Sequence, residues 1–212
     1  MIRNCIKYLL CFQLIFAYSC NSDFTPRPRS YFNVELPKKT YQVFDQEGYP
    51  YSFEYPTYGR ISKEVDSSQN DLYWINVDFN DFNGKIYLSY KDLKRYSVYK
   101  VKTAAGYRDS LVKNTFEALR EESYKMTFKH TVKSSGIVDS IFRTPTGIEG
   151  VYFYVSGDAA TSRQFYITDT TNHFIRGALY FDATPNSDSL SLVSRFLDAD
   201  MKHLIESFRW KN

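Results

Sequence analysis

Nineteen tyrosines and seventeen phenylalanines run through this chain of 212 residues. Rings at that density pack best on the pleated, half-buried surface of a β-sheet, where one ring face meets the core and a hydroxyl stays wet. A strand-rich fold is therefore expected. Hydrophobic residues make up 43% and charged residues 24% of the chain, a balance that suits neither a disordered segment nor a multi-span membrane protein. The formal net charge is +3, and Arg3 and Lys7 supply two of those charges in a leader without acids. The rest is close to neutral and lacks the electrostatic footprint of a dedicated nucleic-acid binder.

Local patterning separates strands from helices. Residues 49–56 alternate between prolines and predict a first strand, which residues 58–61 extend. Residues 63–71, rich in Ser, Asp and Asn, read as a loop. Residues 72–79 and 85–90 predict a hairpin around Asn80-Asp81-Phe82-Asn83-Gly84. Residues 91–106 have no clear period. Val112, Phe116, Leu119, Ser123, Met126 and His130 then recur at four- and three-residue steps, one face of a long helix. Lys113, Glu117, Arg120, Glu121 and Lys125 occupy its other side, and Gly136 after Ser134-Ser135 supplies a natural C-cap. A short strand near 137–142 and three more at 148–156, 163–168 and 173–181 follow, with turns at Gly157-Asp158 and 169–172. After Pro185-Asn186-Ser187-Asp188, the stripe Leu190, Val193, Leu197, Met201, Leu204 and Phe208 marks a last helix capped by Ser187 or Asp188. Hairpin-length turns imply antiparallel pairing. The expected class is α+β: a mostly antiparallel β-sheet packed with a long central helix and a C-terminal helix, in one domain over residues 41–212.

The N-terminus carries a different signal. Two basic residues, an apolar run over residues 8–17 and a small Ser19 form the three regions of a secretory leader over residues 1–19. The run is too short for a span, which needs ~20 residues. Cys5 and Cys11 fall inside this leader, so processing leaves Cys20 alone and no internal disulfide can form. Ala17-Tyr18-Ser19-Cys20 resembles the bacterial lipobox, although Ala17 stands where that motif usually carries Leu or another bulky aliphatic. The resemblance implies an acylated, palmitate-bearing Cys20. A plain signal peptide cut near Ser19 is the alternative, and a buried N-terminal helix the third reading. Acyl chains contribute ~0.8 kcal/mol per buried CH₂, enough in combination to hold a soluble domain at a membrane. Residues 20–40 then form a lipidated N-terminus and tether, in which Thr25-Pro26-Arg27-Pro28-Arg29 favours a polyproline-like spacer.

Candidate chemistry is sparse. The three histidines are His130 on the first helical stripe, His173 at a strand start, and His203 near the end of the last helix, where a cation suits the dipole. There is no HExxH, no G-x-S-x-G, no G-x-G-x-x-G and no P-loop. Nothing in the spacing ties Asp109-Ser110 to His130 as a triad. Asp78-Phe79-Asn80-Asp81-Phe82-Asn83-Gly84 is faintly similar to a calcium loop but puts Phe82 where an oxygen ligand is needed, so a hairpin turn is the better account. No enzyme activity, metal or cofactor is expected. Ser162-Arg163-Gln164 and His173-Phe174-Ile175-Arg176-Gly177 are candidates to line a cleft. The candidate partner or cleft surface is Arg29, Tyr31, Phe32, His130, Gln164, Asp169, His173 and Arg176.

A wider resemblance runs along the processed chain. Cys20 with Thr25-Pro26-Arg27-Pro28-Arg29-Ser30-Tyr31-Phe32, then Phe53-Glu54-Tyr55-Pro56, Trp74-Ile75-Asn76-Val77 and Lys129-His130-Thr131, resembles the gliding motility lipoprotein GldD family. The similarity is strongest in Gln164-Phe165-Tyr166-Ile167-Thr168-Asp169 with His173 to Phe181, and closes at His203-Leu204-Ile205-Glu206-Ser207-Phe208-Arg209-Trp210-Lys211. It implies a cell-envelope lipoprotein needed for gliding, a surface-adhesin motility linked to type IX secretion. The family has no established catalytic residues to carry over, and only Cys20, as the acylated residue, transfers. The element order also looks like the PsbP-like sandwich. The expected partners are the membrane, through the lipid, and other gliding or secretion envelope proteins. Asn21-Ser22-Asp23 holds one acid and so gives no strong surface-export signal, which points to the periplasmic face; the outer membrane is expected rather than the inner. The rival readings are a periplasmic small-ligand-binding module with a cleft between sheet and helix, and a hydrolase in the same cleft.

Overall fold

The computed structural model describes residues 35–63, 72–104, 106–182 and 187–211. Its elements run β1 (Tyr41–Phe44), β2 (Tyr51–Pro56), β3 (Arg60–Ser62), β4 (Ile75–Phe79), β5 (Gly84–Asp92), β6 (Tyr96–Thr103), β7 (Gly106–Lys113), α1 (Phe116–Phe128), β8 (Ser134–Arg143), β9 (Glu149–Gly157), β10 (Thr161–Thr168), β11 (His173–Phe181), α2 (Ser187–Ser207) and β12 (Arg209–Trp210). Seven strands form one sheet in the order β3-β4-β5-β11-β10-β9-β8, and every pairing in it is antiparallel. Strands β1, β2 and β12 make a three-stranded sheet, and β6 with β7 a separate hairpin. The class is α+β, as the alternation of strand groups and helical stripes predicts.

Period-two alternation divides the large sheet into two faces. On one, Val77, Ile86, Leu88, Phe165, Ile167, Ile175 and Leu179 meet Tyr51 and Phe53 of β2, Leu197, Met201 and Leu204 of α2, and Phe208. Tyr51 and Phe53 both stack on the Phe208 ring. On the other, Val151, Phe153, Tyr166 and Phe174 pack against Leu119 of α1. The aromatic excess is spent on these two cores.

Several boundaries depart from the sequence reading. Residues 58–61 do not extend β2. The space beside Gly59 is closed by Val77 and Phe79 at 3.1 and 3.2 Å, and β3 leaves to pair with β4 in the larger sheet. Strands β1 and β12 are too short to give a period. The unassigned stretch 91–106 holds β6, and Val112 belongs to β7, where it is 42% exposed. The helix instead starts after Thr115, whose Oγ1 accepts the Ala118 N–H at 3.2 Å. It ends at Phe128 rather than at Gly136, and His130 lies in a following 3₁₀ turn, Lys129–Val132. The ladder between β8 and β9 claims the backbone from Ser134 on, and Gly136 sits at its bulge. The buried stripe of α1 is therefore Leu119, Ser123 and Thr127, with Met126 on the rim. The hairpin β4–β5 turns through Asn80–Phe82 with Asn83 left-handed at φ 46°, and Asp78 pairs with Lys85 at 3.1 Å. Expectations for the leader, Cys20, Arg29, Tyr31, Phe32, loop residues 64–71 and the caps at Ser187 or Asp188 concern positions outside the described backbone or side chains.

Buried tyrosines make the fold sensitive to alkali. Burial, then the Asp200 carboxylate, pushes Tyr41 up to about 12. Burial with Glu122 does the same for Tyr99, and with Asp139 for Tyr124, each to about 12. Burial also raises Tyr51, Tyr58, Tyr90 and Tyr152. Unfolded tyrosine titrates near 10, so the unfolded chain loses these protons first. The stabilisation is intact below pH 10 and is lost as pH climbs through about 12. Tyrosinate absorbance and circular dichroism should therefore change together above pH 10. Full titration near pH 10 with native dichroism would contradict this.

Candidate functional site

The register of β11 with its neighbours sets Arg176 opposite Ser89 of β5 and Tyr166 of β10. It shares the α1-facing side of the sheet with Phe174, while Ile175 and Leu179 enter the other core. Gln164, fully buried on β10, lies opposite Ala178. Arg176 Nη2 donates to Gln164 Oε1. The same Oε1 is 3.1 Å from Thr127 Oγ1, whose single proton it shares with the Ser123 carbonyl at 2.8 Å. Tyr180 hydrogen-bonds the guanidinium as well. Burial works against the Arg176 charge, but a guanidinium stays protonated in proteins.

Above this cation, α1 and the sheet enclose a cavity of about 210 Å³. Trp74, Leu119, Met126 and Phe174 supply apolar walls, and Arg176, Lys91 and Glu122 are the charged ones. Trp74 is fixed by its Nε1–H donating to the Tyr90 carbonyl at 2.7 Å, and Lys91 Nζ lies 4.8 Å from its ring centre. Glu122 Oε2 accepts from Tyr99 of β6 at 3.2 Å. His130 sits nearby, 6.5 Å from the Tyr180 ring. Burial, then the Arg176 charge, lowers the His130 pKa, so its imidazole is neutral at neutral pH.

The structure thus splits the sequence-derived set. His130, Gln164 and Arg176 come together under α1. Asp169 and His173 belong to the turn that starts β11. Asp169 Oδ1 accepts the backbone N–H groups of Thr171, Asn172 and His173 at 3.0, 2.8 and 2.8 Å. Burial alone would raise its pKa, but these three donors outweigh that and hold it below the usual carboxylate value. His173 Nδ1 is 2.6 Å from the Tyr90 hydroxyl, and its ring stacks on Trp210 with centres 4.9 Å apart. Asp169 caps a turn and His173 packs. Sequence reasoning missed Trp74, Glu122 and Thr127. The four-residue spacing Leu119-Ser123-Thr127 was available, but a stripe drawn through Met126 and His130 leaves Thr127 out.

Apolar surface also faces solvent. On one face of the β6–β7 hairpin, Val98 pairs with Leu111. There Tyr96, Tyr107 and Leu111 are 58, 72 and 72% exposed. On the sheet's outer strand β8, Ile141 is 82% exposed. Among the described residues, no cluster of three or more His, Cys, Asp or Glu could hold a metal ion, and no helix is long and apolar enough to cross a membrane.

Fold and cleft together define an α+β domain whose antiparallel sheet carries a cation-floored, largely apolar pocket under one helix. The chain belongs to the gliding motility lipoprotein GldD family, whose sequence profile matches residues 21–210. It is thus a gliding motility lipoprotein of the cell envelope, associated with a membrane. No curated protein sequence matches it. Its fold is similar to the solution structure of cyanobacterial PsbP (CyanoP) from Synechocystis sp. PCC 6803, at 10% identity and a TM-score of 0.45, over 82% of this chain and 95% of that one.

Proposed function

We propose that this lipoprotein has no reaction of its own and instead helps to assemble or stabilise the gliding and type IX secretion machinery through protein–protein contacts. In this reading acylated Cys20 holds the domain at the periplasmic face of the outer membrane. Confinement to a surface raises its effective concentration near membrane-bound partners. The observation that carries the proposal is the set of large exposed side chains on one face of the β6–β7 hairpin, with Tyr107 and Leu111 each 72% exposed. On this face Tyr96, Val98 and Leu111 adjoin, and the Lys100–Asp109 pair separates them from Tyr107. Large exposed apolar and aromatic side chains interleaved with charges suit a protein contact, and tyrosine is enriched among residues that dominate binding energy.

The test is crosslinked pull-down from native envelopes, comparing the unmodified protein with Cys20→Ala and with Leu111→Asp. The first variant is expected to leave the membrane fraction and abolish gliding. The second should stay on the membrane yet lose its crosslinked partners. Retention of every partner and of gliding in the Cys20→Ala strain would rule out tethering as the mechanism.

A further inference from the structure

The guanidinium of Arg176 is the most unusual group in the fold. It offers five N–H donors in a fixed fork. Within the described residues it donates to the Gln164 amide oxygen, with Tyr180 and the Glu122 carboxylate within electrostatic reach. It takes part in none of the ion pairs among those residues. Glu122 across the cavity offsets part of its charge without closing a direct ion pair, and a largely buried cation without such a pair is costly. Gln164 Nε2 lies buried beside it without an acceptor, adding to the positive potential at this end of the cleft.

We propose that the cavity under α1 binds a small monoanion, a carboxylate with an apolar or aromatic tail, its oxygens on Arg176 and its tail between Trp74, Phe174, Leu119 and Met126. A planar carboxylate accepts two parallel bonds from the guanidinium fork. The volume of about 210 Å³ lies below the roughly 300–1,000 Å³ of drug-sized sites, so the ligand is small. Charge is selected too. Arg176 and Lys91 stand against Glu122 in the lining of the same cavity, a net of one positive charge, which a single negative charge on the ligand balances. A second charge, as on a phosphate monoester, meets the Glu122 carboxylate without a further cation in the lining to offset it. His130 is neutral and adds no charge to attract a dianion. This inference is independent of the assembly role: the cleft lies beneath α1 and the partner surface on the β6–β7 hairpin.

Phenylacetate, 2-phenylethanol and phenyl phosphate have similar ring size and differ in charge, so they make a suitable probe series. Binding to the detergent-solubilised full chain is read by isothermal titration calorimetry and by tryptophan fluorescence, because Trp74 lines the site. Phenylacetate should bind about tenfold tighter than either analogue, the gain of one charge-assisted pair. Arg176→Met, which keeps much of the side-chain volume, should erase that preference. Met126→Trp narrows the cavity from its rim and leaves Arg176 in place, so it should abolish binding with the native circular dichroism retained. Equal affinity for all three compounds, no phenylacetate binding, or undiminished binding in both variants would each overturn the proposal.

Discussion

Asp200→Ala is expected to cost about 3–5 kcal/mol of stability, the range for breaking a buried charge pair from one side. The Asp200 side chain is fully shielded from solvent. One oxygen takes Lys39 Nζ at 2.7 Å and the Tyr41 hydroxyl at 3.1 Å, and the other takes the Tyr58 hydroxyl. Lys39 Nζ also donates to the Phe196 carbonyl at 2.9 Å and rests 3.8 Å from the Phe196 ring centre. Alanine would leave this ammonium, 31% exposed, and two hydroxyls without their common acceptor. In a domain of this size each kcal/mol moves Tm by roughly 2–4 °C, so a fall of about 10 °C is expected, with a matching drop in the urea midpoint. Asp200→Asn keeps an acceptor and should lose less. Tyr41 provides a local readout. Its pKa, pushed up to about 12 by burial and then by Asp200, should move down in the alanine variant. A loss under about 1 kcal/mol would show that Lys39 and the two tyrosines are satisfied by water and that the carboxylate is not their anchor. Lys39 precedes β1, so this network also ties the segment before β1 to α2.

The elements that were legible in the sequence are those with a sustained period. Leu197, Met201, Leu204 and Phe208 repeat cleanly because α2 and the residue after it line one continuous core. The hairpins β4–β5, β9–β10 and β10–β11 were legible because a turn signal sits between two alternating runs. What failed was phase and context. Val112 and Phe116 are four apart and both apolar, yet Thr115 starts the helix between them, and a local cap outranks spacing. β1 is too short to show a period although it pairs with the next strand, Tyr41 opposite Pro56, and β12 owes its existence to a partner far along the chain, Trp210 opposite Tyr51, which no local window contains. The candidate site was half legible for the same reason. Gln164 and Arg176 share a face because β10 and β11 are adjacent and in register, and a hairpin spacing gives that directly. Glu122 and Trp74 reach the cleft only through packing of α1 on the sheet. Asp169 and His173 read as functional because polar residues cluster there, but a tight turn needs acceptors for its own N–H groups.

Gly177 should tolerate no side chain. It faces Phe165 across the β10–β11 pair. A Cβ at Gly177 would lie 2.1 Å from Cε1 and 2.3 Å from Cζ of that ring. The ring has no exposed surface and is held among Ile175, Leu179 and α2 in the larger core, so it cannot swing away. Overpacking a tight core costs about 1–3 kcal/mol and occasionally more. Gly177→Ala is placed at the top of that range because the contact falls on a fully buried ring rather than on a flexible chain end. Gly177→Val should not yield folded protein. Phe165→Leu offers the converse test. It destabilises on its own by opening a cavity, yet it makes room for the added methyl. The double substitution should therefore be less damaging than the two single losses combined, by about 1 kcal/mol or more in a urea-unfolding cycle. Gly136→Ala serves as the control, since nothing lies within 4 Å of the new Cβ, and its effect should stay within about 0.5 kcal/mol. Strict additivity at Gly177 and Phe165 would mean that the strands separate to admit the methyl. Arg176, next along β11, would then shift away from Gln164, and Gly177→Ala would weaken phenylacetate binding together with stability.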